Sequence, residues 1–104
     1  MELSIKHLNL YTLLIGIDGR LDLDSAVDFG HKVMDAIDDS EEEIKEIILD
    51  FEKVTFISSY GLKVILEFYK KMKEREGSLK IKNVSAEIRK SFNLVGFNKF
   101  LALD

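Results

Sequence analysis

The feature that most constrains this chain is a repeated change in the spacing of its apolar residues, from every second position to every third or fourth. Leu3 and Ile5 alternate with Ser4 and Lys6, the period of a half-buried strand. His7–Asn9 reads as a short break and Leu10–Ile17 as a second, strongly apolar strand, so the pair should form a hairpin. Asp18–Asp22 then supplies turn residues that end the second strand. From Ser25 the spacing is helical, with Ala26, Phe29, Val33, Ala36 and Ile37 on one face. Asp24 or Ser25 is positioned to cap the first turn. The acidic run Asp38–Glu43 opposes the dipole at a helix carboxyl end, so the helix is expected to stop before it.

The alternation of periods continues. Glu46–Phe51 reads as a central strand, and Val54, Phe56 and Ile57 carry apolar residues through the turn after it. From Ser59 a helical stripe follows through Leu62, Ile65, Leu66, Tyr69 and Met72, with Gly77 as its terminator. Leu79 and Ile81 alternate with lysines as a fourth strand. Ser85 can cap a third helix through Ile88, Phe92 and Val95, which Gly96 ends, and the tail can add a short last strand. The order is β-β-α-β-α-β-α. Right-handed crossovers stepping one way would place the helices mainly on one face of a mixed sheet of four to five strands. The expectation is an α/β fold in a single domain, residues 1–104.

Composition removes several function classes. Without cysteine the chain forms no disulfide and no thiolate metal site. Its 19 acidic and 15 basic residues give a formal charge of −4, so phosphate backbones and anionic membranes should repel it. No direct contact with nucleic acid or membrane is expected. Neither a signal sequence nor a bilayer-length apolar run is present, which points to the cytoplasm. His7 and His31 are the only histidines and match no metal-ligand spacing; His31 reads as a solvated helix residue. No phosphate-binding glycine loop and no nucleophile elbow occurs, so neither enzyme activity nor a cofactor is expected.

One segment stands apart, Asp50–Leu62, which runs from the central strand into the long helix. Ser58 and Ser59 fall where free amides and the helix dipole meet. One reading is purely structural, with Ser58 as the cap and Ser59 in the first turn. The other is a phosphorylation switch on Ser59, since a phosphoryl group meets a favourable field at a helix amino terminus. Both can hold together.

Asp50-Phe51, Val54, Phe56-Ile57-Ser58-Ser59, Gly61-Leu62 and Val64-Ile65-Leu66 together resemble the signature of the STAS domain family, named from sulphate transporters and anti-sigma factor antagonists. Ile15–Asp22, Leu79–Ser85 and Leu94–Phe100 extend the resemblance over nearly the whole chain. It implies a stand-alone bacterial anti-sigma factor antagonist. In that family an anti-sigma factor, itself a serine kinase, phosphorylates the serine of an Asp-Ser-x-Gly or Ser-Ser-x-Gly motif. Carried over, the acceptor is Ser59, and Ser58 stands where aspartate is commoner. Tyr60 occupies a position where a small residue is usual, and Gly61 matches, its missing side chain letting another surface approach.

The implied mechanism is partner switching. The unmodified protein docks on a GHKL-type kinase through the Ser59 helix end and the Gly19–Asp24 loop, freeing a sigma factor; a phosphatase restores the binding form. Asp22, Asp24 and Asp50 would lie near the serine and assist a magnesium-bound nucleotide on the partner, or else serve as a cap (Asp24) and as hydrogen-bonders. Two other functions compete: a non-switching STAS module in a signalling or transporter assembly, and a small hydrolase, for which no general base is evident.

Overall fold

Leu3 sits opposite Ile17 and Ile5 opposite Ile15, so the alternating segments pair as expected into an antiparallel hairpin of β1 (Glu2–Asn9) and β2 (Thr12–Leu21). The computed structural model describes Met1–Asp104 throughout. The hairpin turns at Leu10-Tyr11 rather than at His7–Asn9. Asn9 Oδ1 accepts the Tyr11 amide at 2.9 Å, and this side-chain turn outweighs the apolar character of the two turn residues.

Two strands run past their expected ends. β2 continues through Leu21 and β3 (Glu46–Ile57) through six residues beyond Phe51, because the turn-prone residues are absorbed as bulges in a parallel pairing. The register slips between Gly16 and Asp18 and again after Gly19, whose φ of 117° suits glycine. At the first slip the Glu52 amide is taken by Asp50 Oδ1 at 3.1 Å. β1 pairs no further than Glu2 opposite Asp18, and β4 (Ser78–Lys82) no further than Lys82 opposite Asp50. The upper ends of β2 and β3 therefore stand as a two-stranded ribbon above the sheet.

The helices follow the apolar stripes. α1 (Leu23–Asp39) buries Ala26, Phe29, Val33 and Ile37. It enters the acidic run rather than stopping short of it, since Asp38 lies 3.1 Å from Lys71 Nζ and 3.6 Å from the Arg75 guanidinium. Cations of the neighbouring helix answer the charge that the dipole disfavours. That neighbour, α2 (Ser59–Glu74), buries Leu62, Val64, Ile65, Phe68 and Met72. Phe68 meets Phe29 edge to face at 5.2 Å. After α2 the left-handed residue is Glu76 (φ 57°), and Gly77 is needed because a β-carbon there would collide with the Lys45 carbonyl. Ser85 caps α3 (Ala86–Leu94) as expected, but Val95 is half exposed beyond its end.

The sheet order is β1-β2-β3-β4-β5, with β5 (Ala102–Leu103) as the short last strand and all pairs parallel except β1–β2. Leu13, Ile15, Ile17, Ile47, Leu49, Phe51, Leu79 and Ile81 point to one side, where they join the helices in a cluster of 25 buried side chains. Phe51 contacts Phe92 of α3, so all three helices lie on that side. The other face stays open, with Lys6, Leu14, Ile48 and Lys80 in one cross-strand row. No helix is long and apolar enough to cross a membrane.

Candidate functional site

β2 and β3 end level, Leu21 opposite Ile57, so α1 and α2 begin side by side at the carboxyl edge of the parallel strands. This is where parallel sheets gather their functional groups. The Ser58 amide donates to the Leu21 carbonyl at 2.8 Å and ties the two junctions together. Ser58 is the N-cap of α2, its hydroxyl accepting the Gly61 amide at 3.1 Å. Gly61 is buried, and a β-carbon there would lie 2.8 Å from Ile57 Cγ1 and 3.3 Å from the Leu21 carbonyl oxygen. Its missing side chain therefore serves packing within the chain, not the approach of another surface.

Ser59 is the first residue of α2 and is exposed, and its hydroxyl makes no hydrogen bond within the chain. The first turn of α2 carries no acidic residue, so the amide-rich end keeps its positive field. Three exposed apolar side chains share this end of the molecule: Leu23 (57%), Phe56 (37%) and Tyr60 (36%). The Arg20 guanidinium lies 4.3 Å from the centre of the Phe56 ring, and Lys63 Nζ 5.6 Å from that of Tyr60. A free hydroxyl is thus grouped with apolar surface and two cations. Arg20 and Leu23 lie within the Gly19–Asp24 segment expected to dock; Phe56 and its contact with Arg20 are not foreseen from the sequence. Their signal was the continued pairing of Asp18–Leu21 with Lys53–Ile57, which sets Arg20 opposite Phe56.

The aspartates separate. Asp22, not Asp24, is the N-cap of α1, and it forms a capping box: Ser25 N donates to Asp22 Oδ1 at 3.1 Å and Asp22 N to Ser25 Oγ at 3.0 Å. The Ser25 amide and hydroxyl, with the Arg20 charge, hold its carboxyl below the usual range. Asp24 is an exposed first-turn residue. Asp22 stays beside the serines through the Leu21–Ser58 bond, but Asp50 does not join them. It lies seven residues of strand before Ile57, about 23 Å at the usual strand rise of roughly 3.3 Å per residue.

Asp50 instead faces the open side of the sheet, in a groove of about 390 Å³ with Glu2, Ser4, Asp18 and Glu52. Partial burial pushes its pKa up, but bonds from Asn83 Nδ2 (3.0 Å) and the Glu52 amide, with the Lys82 and Lys53 charges, leave it lowered. His31 is exposed on α1, and His7 Nε2 lies 3.3 Å from Ser40 Oγ. No three histidine or acidic side chains converge as metal ligands.

The model of the STAS domain family matches residues 4–104. Solved structures with the same fold include SpoIIAA of Bacillus in its phosphorylated form, 22% identical with a TM-score of 0.77 over 99% of this chain and 91% of that one. An anti-sigma factor antagonist from Mycobacterium paratuberculosis is 19% identical, with a TM-score of 0.80 over 98% and 85% of the two chains. A sulfate transporter family protein from Wolinella succinogenes is 23% identical, with a TM-score of 0.73 over 90% and 74%.

Proposed function

The chain belongs to the STAS domain family, and on that premise we propose that it is an anti-sigma factor antagonist working by phosphorylation-controlled partner switching. The observation that carries this reading is Ser59: an unbonded, exposed hydroxyl at the amino end of α2, beside Leu23, Phe56 and Tyr60. The unmodified surface docks on a cytoplasmic anti-sigma factor that is also a GHKL-type serine kinase, and the sigma factor is released. The kinase supplies the catalysis; this chain supplies the acceptor. Ser59 Oγ attacks the γ-phosphorus of ATP, the bond to the β–γ bridging oxygen breaks, ADP leaves and the hydroxyl proton passes to a base on the kinase.

The product is a dianion at the centre of the contact. Ser59 is outside the core and Ser58 alone caps the helix, so the fold tolerates the change. The field of the α2 amino end, whose first turn carries no acidic residue, favours it on the free protein. An unpaired charge at an interface costs about 2–5 kcal/mol. At roughly 1.4 kcal/mol per decade, affinity falls by some 30-fold to several thousand-fold. A phosphatase returns the binding form. Asp22, next to Ser58, is positioned to meet a magnesium-bound nucleotide on the partner; Asp24 is available to it and Asp50 is too distant.

A second reading is a non-switching STAS subunit of a signalling or transporter assembly. The fold shared with the Wolinella sulfate transporter family protein favours it, as does Tyr60 beside the acceptor. Incubation with the anti-sigma kinase encoded in the same genome and labelled ATP separates the two. The switch requires label on the wild type and none on Ser59→Ala. Absence of label, or label elsewhere, leaves the non-switching subunit.

A further inference from the structure

We propose that the chain forms a two-fold homodimer in which β1 of one copy pairs antiparallel with β1 of the other, joining two five-stranded sheets into one. This does not rest on the reading of Ser59. β1 is an edge strand of eight residues, bonded to β2 on one side only. Such an edge offers a row of unpaired amides and carbonyls, which proteins commonly blunt with proline, a bulge or a short strand. Here the chain has no proline, and the only irregularity in the β1–β2 pairing lies at the far end, between His7 and Asn9.

The residues of β1 are complementary to themselves. Set Ser4 on the two-fold axis and antiparallel pairing puts Glu2 opposite Lys6 of the second copy, twice over, and Leu3 opposite Ile5, also twice. Pairs of equal parity keep the faces in step. Glu2, Ser4 and Lys6 share the open side of the sheet, while Leu3 and Ile5 share the helix side, opposite Ile17 and Ile15 of β2. On that side an open groove of about 700 Å³ separates β1 from α1, walled by Leu3, Ile5 and Ala36, and Ile5 is 37% exposed. The second copy brings its own Leu3 and Ile5 to the mouth of that groove.

Charge also selects the register. Sliding the pairing by two residues, to centre it on Ile5, sets Glu2 against Leu8 and loses both ion pairs. A further slide, centred on Lys6, puts two lysines face to face, which is destabilising. The partner that fits this edge is therefore a second copy held in one register.

Sedimentation across a dilution series should show a reversible monomer–dimer equilibrium for the wild type. Glu2→Lys alone and Lys6→Glu alone should each weaken the dimer by on the order of tenfold or more, and the double exchange should restore it. Unchanged far-ultraviolet circular dichroism of the exposed single variants would establish that the fold is intact. As an independent measure, Ser4→Cys in this cysteine-free chain should oxidise to a covalent dimer, whereas the exposed Lys90→Cys on α3 should not. A wild type that stays monomeric, a dimer indifferent to the single charge reversals, or a double exchange that fails to restore it would overturn the proposal.

Discussion

The amide of Ser58 donates to the carbonyl of Leu21 at 2.8 Å, and through that bond the starts of two helices become one surface. Leu21 precedes the Asp22 cap of α1, and Ser58 is the cap of α2. Anything that moves one junction therefore moves the other. The consequences can be measured one residue at a time.

Gly61→Ala forces a methyl group against Ile57 and the Leu21 carbonyl, where a β-carbon would sit at 2.8 and 3.3 Å. A better helix former is thus expected to destabilise the protein, by about 1–3 kcal/mol in urea unfolding. A neutral or stabilising result would mean that the two junctions separate easily.

The neighbouring serines should differ. Ser58→Ala removes the acceptor of the Gly61 amide and should cost about 1 kcal/mol. Ser59→Ala removes an unbonded hydroxyl and should change stability by less than about 0.5 kcal/mol. Parallel denaturant titrations test the pair, and equal losses would contradict the division of roles.

Acid should weaken the fold through Asp22 and Asp50. Both carboxyls titrate below the ordinary aspartate range in the folded protein, Asp22 through the Ser25 bonds and Asp50 through bonds and cations that outweigh its burial. Their contribution is complete above the unfolded pKa and is lost as pH falls through the folded values. Melting temperatures recorded downward from pH ~6 should therefore drop below about pH 4, and Asp22→Asn should flatten that limb while keeping a competent cap. A limb unaltered by Asp22→Asn and Asp50→Asn together would assign the acid sensitivity to other groups.

If the Ser59 surface is the docking face, Phe56→Ala should weaken binding to the anti-sigma kinase roughly tenfold or more, as expected of an exposed aromatic anchor. Leu94→Ala, which trims an 86% exposed side chain on α3, should leave it unchanged. Titration calorimetry with both variants decides, and the reverse ranking would move the interface to α3.

Local chemistry made much of this fold legible. The stripe Ala26, Phe29, Val33 and Ile37 and the Ser85 cap depend on neighbours in sequence, so periodicity and capping rules found them. The ends of β2 and β3 depend on each other, since Asp18-Gly19 and Asp50–Lys53 break a strand unless a partner absorbs them as bulges. That partner is distant in sequence, so the strands read short and the Arg20–Phe56 pair stayed hidden. Asp50 follows the same logic: a strand ending at Phe51 would leave it next to the serine, whereas the longer β3 keeps it away and in its alternative role, as a hydrogen-bonder to Asn83 and the Glu52 amide. The exchange of Asp24 for Asp22 as cap is a smaller error, the ordinary uncertainty of a helix boundary.

The ribbon formed by the upper ends of β2 and β3 has a kinetic consequence. Below it each backbone ladder is flanked by further strands; within it, only two strands hold each other. Amide protons from Lys53 to Ile57 should therefore exchange with solvent through partial openings that leave Ile47 and Leu49 protected. The platform beneath Ser58 and Ser59 can fray and re-form many times within the lifetime of one global unfolding event. A docked partner that clamps it would be seen first as slowed deuterium uptake in those few residues.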